Sequence, residues 1–137
     1  MNRNSLKKLA TIRLKEAEAL LATKNYSGAY YLSGYAVECA LKACIAKKTK
    51  RYDFPDRNLA NDSWTHNIIK LADTAGLMDS LEHEIKLDPI FKNNWNIIRD
   101  WSEQSRYQIH SKTKAYSIYF AITDGSHGVL KWIEQHW

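Results

Sequence analysis

Arg106 and His110 are the two residues whose types and spacing best suit chemistry on a phosphate group. An arginine guanidinium stays charged and can bind two phosphate oxygens at once. A histidine imidazole has an ordinary pKa of about 6.5, so it can take up and release protons near neutral pH. Three residues separate the pair, so on a helix both side chains would lie on one face. The alternative is a surface arginine and histidine near a helix start, with no catalytic role.

The common motifs of other enzyme classes are absent. The sequence has no phosphate-binding glycine loop, no GxSxG or HExxH motif and no paired aspartates. Cys39 and Cys44 are five residues apart in one predicted helix and lie about 140° apart around it, so we expect no disulfide between them. Because no CxxC pair or Cys/His cluster is present, we expect no metal site and no cofactor.

Charge is distributed unevenly along the 137 residues. Residues 1–52 carry 11 Lys and Arg against 3 Asp and Glu, a net charge of +8, whereas residues 53–137 carry 9 against 12, a net charge of −3. A basic N-terminal half could bind nucleic-acid phosphates. Alternatively, four basic residues simply end a helix, where cations stabilise the negative end of the helix dipole: Lys47, Lys48, Lys50 and Arg51.

Length and composition predict one globular domain over residues 1–137. The chain is 45% hydrophobic and 26% charged, which is typical of a folded protein with its own core. It contains no uninterrupted apolar run of about 18 residues, so we expect no membrane contact. The first residues have no apolar signal segment, which predicts a cytoplasmic protein.

Two long helices are predicted in the N-terminal half. The first spans about Ser5 to Lys24, and Arg13 lies within its apolar stripe. The second spans about Ser27 to Lys48 and is apolar almost all round, which predicts a central position. Its polar face carries Tyr31, Tyr35, Glu38 and Lys42. Since an unpaired buried charge is costly, we expect Arg13 to pair with Glu38, or each to bond a tyrosine hydroxyl of the second helix.

Short helices and turns are predicted after a polar loop at residues 49–63. Thr65 is the expected N-cap of a short helix that ends at Gly76. Asp79 is the expected N-cap of a helix from Ser80 to about Leu87. Asp88 and Pro89 then begin a helix that runs towards Trp101.

The remaining residues complete an all-α chain. Residues 102–114 are polar and form either a loop or the first turn of the next helix, followed by helices at about Lys114–Thr123 and Val129–Trp137. With only 5 Gly and 2 Pro, the sequence favours an antiparallel up-and-down bundle of about five or six helices. Three tryptophans in apolar helical patterns are expected in its core: Trp95, Trp101 and Trp132.

Three segments resemble HEPN-domain proteins, and the resemblance covers nearly the whole chain. Residues 26–43, YSGAYYLSGYAVECALKA, resemble the family's second helix. Thr65-His66-Asn67 with the downstream Ala75-Gly76-Leu77 resembles its short third helix. Residues 100–107, DWSEQSRY, resemble the polar segment before its last long helix.

The resemblance implies a small helical bundle that commonly forms homodimers. Many such proteins are metal-independent RNases, often toxins paired with a minimal nucleotidyltransferase antitoxin. Their catalytic signature is Arg, four to six residues, then His, and two such motifs face each other across the dimer cleft. Here three residues separate Arg106 from His110, and ten separate Arg99 from His110.

Two functions therefore remain open. The first is a toxin-like RNase that acts on RNA as a homodimer, with Arg106 and His110 as the catalytic pair. Such a reaction needs a base that takes the proton of the 2′-OH, an acid that protonates the 5′-oxygen and a cation for the phosphorane, and the pair would supply these groups. The alternative is a non-catalytic module that binds a nucleotide or a nucleotidyltransferase partner. The 5 Trp and 8 Tyr favour a homodimer, because aromatic residues are enriched in interface cores.

A supporting polar cluster is expected around the catalytic pair. The pair itself should lie at the start of the helix that begins near residue 111, facing a cleft. Tyr107 should be buried beside it. Glu38 and His66 could belong to the cluster, or could be a structural acceptor and a surface residue respectively. The expected members of the cluster are Glu38, Lys42, Tyr35, Tyr107, His66 and Arg13.

Overall fold

A computed structural model describes residues 2–49 and 57–137. The described residues contain no strand, which confirms the all-α fold class, and none of their helices has the length and apolar character needed to cross a membrane. A 3₁₀ helix spans Glu103–Tyr107. The α-helices are α1 (Arg3–Ala22), α2 (Tyr26–Lys47), α3 (Arg57–Ser63), α4 (Ile68–Thr74), α5 (Met78–Leu87), α6 (Pro89–Arg99), α7 (Lys112–Thr123) and α8 (Val129–Glu134). These eight α-helices of the described residues exceed the expected five or six, and α3 lies in a segment that was expected to be a loop.

Helices α1 and α2 form the hairpin on which the other elements pack. The Asn2 side chain caps α1 by accepting a hydrogen bond from the backbone N–H of Ser5. The chain then reverses through Lys24, whose φ of 63° is left-handed. Because only residues 23–25 connect the two helices, they run antiparallel and pack along their length.

Helix α2 is the centre of the core, as its sequence predicted. Thirteen of its 22 residues are buried, which is too many for one face of a helix. It contacts α1, α4, α7, α8 and the 3₁₀ helix. Cys39 and Cys44 are buried in it as free thiols. The three tryptophans expected in the core are also buried: Trp95, Trp101 and Trp132.

Three local predictions in the connecting regions were wrong. The loop expected at 49–63 contains α3 from Arg57 onward, and its residues 50–56 lie outside the described part of the chain. Asn67 caps α4 instead of Thr65, because its side chain accepts a hydrogen bond from the Lys70 N–H. Helix α5 begins at Met78, so Asp79 lies within its first turn and does not cap it.

Other helix boundaries agree with the sequence signals. The Asp88 side chain accepts hydrogen bonds from the N–H groups of Ile90 and Phe91, and Pro89 is the first residue of α6. Gly76, just after α4, has a φ of +75°, a left-handed conformation that glycine adopts at a lower energetic cost than other residues. Nδ1 of His127 also lies 2.6 Å from Oδ2 of Asp88, and this hydrogen bond joins the turn after α7 to the start of α6.

A close approach between Gly34 and Trp101 fixes the 3₁₀ region against α2. A Cβ added at Gly34 would lie 2.2 Å from Cδ1 of Trp101, well inside contact distance. Trp101 is buried, and its ring stacks on Tyr31 at 5.9 Å between centroids. The missing side chain at residue 34 therefore lets the segment before the 3₁₀ helix lie directly on α2.

Replacing Gly34 by alanine should destabilise the fold. Alanine favours a helix over glycine by about 1 kcal/mol, but the clash with Trp101 should cost about 1–3 kcal/mol or more. We therefore expect a lower Tm for Gly34→Ala in thermal unfolding. Gly125→Ala is the matched control, since nothing lies within 4 Å of a Cβ there. Equal Tm values for the two variants would contradict the close approach.

Candidate functional site

A buried carboxylate and two further side chains form a cluster of Glu38, His66 and Glu103, called here the Glu–His–Glu cluster. His66 Nδ1 is hydrogen-bonded to Oε1 of Glu38 on α2. Its other ring nitrogen, Nε2, lies 3.1 Å from Oε2 of Glu103 in the 3₁₀ helix. Both imidazole nitrogens therefore face carboxylates that come from two different elements.

Glu38 is the most buried charged side chain of this cluster. The residue is only 1% exposed, whereas the side chains of His66 and Glu103 are 42% and 35% exposed. Lys42, one turn further along α2, lies 3.9 Å from the same Glu38 oxygen. A carboxylate at this depth is tolerated because it has cationic and hydrogen-bonding partners.

Helix caps position the other two residues of the cluster. Asn67 caps α4, so His66 lies in the extended segment just before that helix. Ser102 caps the 3₁₀ helix by accepting from the Gln104 N–H, which places Glu103 at its first residue. The packing of Trp101 on Gly34 then brings Glu103 towards α2.

The cluster borders a cavity of about 980 Å³ between α1, α2 and α3. Three cationic side chains line it, Arg3, Lys42 and Lys47. Nη2 of Arg3 donates to the Trp137 carbonyl, and its buried Nε has no hydrogen-bond partner in the described part of the chain. The aromatic residues of its wall include Trp64, which is 80% exposed, and the half-buried Tyr35.

Two titratable groups of the cavity wall stay neutral. Burial raises the pKa of the Cys39 thiol to about 11, and the charge of Glu38 acts in the same direction. Burial likewise raises the pKa of the Tyr35 hydroxyl. Among the described residues, no group of three or more His, Cys, Asp or Glu side chains is arranged to bind a metal ion.

Arg13 does not join this cluster, so the predicted pairing with Glu38 was wrong. Its Nη1 atom lies 2.6 Å from both carboxylate oxygens of Glu16, three residues along α1. This contact raises the pKa of the Arg13 guanidinium. Glu16 on the same helix balances the charge of Arg13, so Arg13 needs no carboxylate from α2.

Arg106 and Tyr107 lie on the surface of the 3₁₀ helix. The guanidinium carbon of Arg106 stands 4.9 Å from the centroid of the Tyr107 ring, a cation–π contact. Tyr107 is 74% exposed, so the prediction that it is buried was wrong. The short 3₁₀ helix packs against α2, and the Tyr107 side chain, which points away from α2, therefore remains exposed.

His110 is buried and is separated from the 3₁₀ helix by a stretch of extended backbone. Gln108 is extended, with φ −114° and ψ 155°, so Arg106 and His110 do not share one helical face and precede α7. The His110 ring stacks on Tyr30 at 3.9 Å between centroids, and the backbone N–H of His110 donates to Oγ of Ser27 at 2.8 Å. Burial lowers the pKa of His110, and the nearby Lys114 adds to that effect.

The buried imidazole has an unused ring nitrogen. Nε2 of His110 is buried and has no hydrogen-bond partner in the described residues. The residue lines a second cavity, of about 370 Å³, at the start of α2. The side chain of Asn25, the residue before α2, makes no capping hydrogen bond there.

The structure thus divides the residues expected in one polar cluster. Glu38, Lys42, Tyr35 and His66 lie together at the large cavity. No hydrogen bond, ion pair or ring contact between described residues joins Arg106 to His110. Three residues of the site had not been singled out from the sequence: Arg3, Trp64 and Glu103. Lys47 had been named only as part of the basic end of the second helix.

Comparison with protein families supports the resemblance seen in the sequence. The model of the HEPN domain matches residues 4–119 of the 137. No curated protein and no solved structure matches the chain. The matched range contains α2, the Glu–His–Glu cluster and the segment with Arg106 and His110.

Removing the buried carboxylate should destabilise the protein strongly. Glu38→Ala leaves His66 and Lys42 without their partner, and breaking a buried pair typically costs about 3–5 kcal/mol. The free energy of unfolding in urea measures this loss. Glu16→Ala is the control, because it breaks a half-exposed pair within one helix and should cost less than about 1 kcal/mol. Similar losses in both variants would contradict the importance of Glu38 burial.

Proposed function

The chain belongs to the HEPN family, and from that premise we propose that it binds a nucleotide in the cavity between α1, α2 and α3. The nucleotide is either free or a unit of an RNA strand, since both present a base and a phosphate. One observation carries the proposal: the cavity combines cationic side chains with an exposed aromatic ring and a buried carboxylate. Its volume of about 980 Å³ suits a ligand of this size.

The cationic side of the cavity suits a phosphate. Lys47 ends α2 and is exposed. Arg3 adds a guanidinium charge, although its Nη2 donates to the Trp137 carbonyl and its Nε is buried. An arginine fork matches phosphate oxygens, and a lysine adds a flexible point charge. Lys42 is partly neutralised by Glu38 and the Arg3 guanidinium is engaged with the Trp137 carbonyl, so we assign the main phosphate contact to Lys47, with the charge of Arg3 in support.

The aromatic side suits a base. Trp64 exposes 80% of its surface beside the cavity, an unusual position for so large an apolar side chain. Stacking of a base on tryptophan would cover that surface without requiring one particular base. The Tyr35 hydroxyl and Glu38 are the polar groups that a base or ribose would meet in the inner wall.

Binding should depend on both sides of the cavity. We expect the dinucleotide ApA and AMP to bind in isothermal titration calorimetry, and neutral adenosine to bind more weakly. Lys47→Ala should weaken binding about tenfold, since a charged hydrogen bond is lost. Trp64→Ala should cost about 1–3 kcal/mol of binding free energy, and Trp64→Phe should retain most of it.

The control for charge is Lys92→Ala, because Lys92 is exposed on α6 and does not line the cavity. Failure of both ApA and AMP to bind the wild-type protein would overturn the proposed function. Equal affinities for adenosine and AMP would contradict the assignment of a phosphate contact.

A second candidate function is metal-independent RNA cleavage by a homodimer, in which Arg106 and His110 act together across two copies. The observation that favours it is the unpartnered Nε2 of His110, whose pKa burial lowers. Such an imidazole is neutral at neutral pH and has the lone pair of a general base. It ranks second because that nitrogen is inaccessible in one copy and no contact joins it to Arg106. A nucleotidyltransferase partner is compatible with either function.

Cleavage and dimerisation are testable together. If this second function applies, RNA should be cut in EDTA, and Arg106→Ala and His110→Ala should each abolish the activity. Light scattering at micromolar concentration should give twice the mass of one chain. His83→Ala is the control, since His83 is exposed on α5. A monomer without activity in EDTA would leave nucleotide binding as the function.

A further inference from the structure

We infer that Trp137 partly closes the nucleotide site, because it engages the Arg3 guanidinium that a bound phosphate would contact. The inference rests on the proposed function, since it concerns the regulation of the same cavity. Two contacts hold Trp137 against α1. Its backbone carbonyl accepts a hydrogen bond from Nη2 of Arg3, and the centroid of its ring lies 5.3 Å from Nζ of Lys7, a cation–π contact.

The core positions Trp137 beside the start of α1. Helix α8 packs on α2 and is fixed by three buried residues: Val129, Trp132 and Ile133. The backbone N–H of His136 donates to the carbonyl of Ile133 at 2.8 Å, so the chain stays coiled just after α8. Trp137 is half-buried and packs against the core. Its place is therefore set by packing as well as by the two contacts with α1.

Cationic side chains of α1 and α2 surround Trp137. Arg3 and Lys47 line the cavity, and Lys7 lies one turn after Arg3 on α1. The pKa of His136 is lowered by burial and then by the charge of Lys47, so the residue before Trp137 lies near that lysine. Residues 136 and 137, called here the rim segment, therefore lie among three cationic side chains at the edge of the phosphate side of the cavity.

The contact with Trp137 limits what Arg3 can offer to a phosphate. A guanidinium binds two oxygens at once through one of two edges, and Nη2 belongs to both of them. The edge that pairs Nη2 with Nε is closed, because Nε of Arg3 is buried. The other edge pairs Nη2 with Nη1, and Nη2 already donates to Trp137. With Trp137 in place, Arg3 therefore acts on a ligand mainly through its charge.

Release of Trp137 would make the site more favourable for an anion. The Arg3 guanidinium could then turn towards the cavity and bind phosphate oxygens with both terminal nitrogens. Lys7 would lose the ring that now lies beside its ammonium group and would add a third positive charge. An anionic nucleotide binds this released arrangement more tightly than the docked one, so binding shifts the population towards release. Neutral adenosine gains nothing from either cation and shifts nothing.

The variant Trp137→Ala tests this regulation by calorimetry. It removes the ring that holds the segment against Lys7 and the core, so the carbonyl of residue 137 no longer stays on Arg3. We expect ApA and AMP to bind about threefold to tenfold more tightly than to the wild-type protein, the equivalent of one hydrogen bond. Adenosine should bind with unchanged affinity. Trp137→Phe keeps an aromatic ring for Lys7 and should bind all three ligands as the wild-type protein does.

Two further measurements assign the effect to Arg3. In an Arg3→Ala background, Trp137→Ala should no longer tighten the binding of ApA, because the guanidinium that it releases is absent. In the wild-type chain labelled with 5-fluorotryptophan, saturation with ApA should shift the fluorine resonance of Trp137, and saturation with adenosine should not. Trp137→Phe identifies that resonance. The buried Trp95 supplies the matched control, because its resonance should stay in place with either ligand.

The outcomes separate this inference from the proposed function. If ApA binds folded Trp137→Ala with equal or weaker affinity than the wild-type protein, the regulation is wrong and the proposed function stands. A Trp137 resonance that ApA leaves unchanged overturns it in the same way. If Trp137→Ala does not fold, the wild-type fluorine spectrum alone decides. If ApA and AMP both fail to bind the wild-type protein, the proposed function is overturned, and the regulation with it.

Discussion

The buried carboxylate of Glu38 constrains how this bundle is assembled. It lies on α2, the helix that most other elements pack against, and it is almost completely removed from water. A charge in that position needs partners, because its removal from water costs more free energy than a single weak contact provides. Lys42 supplies one partner from the same helix, and His66 supplies another from the segment before α4. The irregular segment at residues 64–67 is thereby joined to the core by a polar contact as well as by packing.

The close packing of the 3₁₀ helix on α2 completes this arrangement. Gly34 has no side chain, so Trp101 lies against the helix backbone and the following residues turn across α2. Glu103 then reaches the outer nitrogen of His66. A glycine and a buried acid, four residues apart on one helix, thus position two segments that have little regular structure of their own.

The sequence predicted the regular elements better than the site. Apolar periodicity identified α1 and α2 because burial on one or all faces has a clear signature, and Asp88 with Pro89 identified the start of α6 because the cap depends on local chemistry. Arg13 and Tyr107 were misplaced because the partner of a charge, or the direction of a side chain on a short 3₁₀ helix, is decided by tertiary packing. Glu103 carried no local signal at all, since only its distance from His66 makes it part of the site.

The two candidate sites are linked through the residues that follow Trp101. Glu38 and Tyr30 are eight residues apart on α2, which corresponds to about 12 Å along the helix axis. Glu103 contacts the cluster at the first of these positions, and His110 stacks on Tyr30 at the second. Arg106 lies between them in sequence, on the 3₁₀ helix that Glu103 begins. Any change that separates Glu103 from His66 therefore acts on the segment that positions Arg106 and His110. The large cavity and the positions of Arg106 and His110 consequently depend on the same short segment, because it takes part in both.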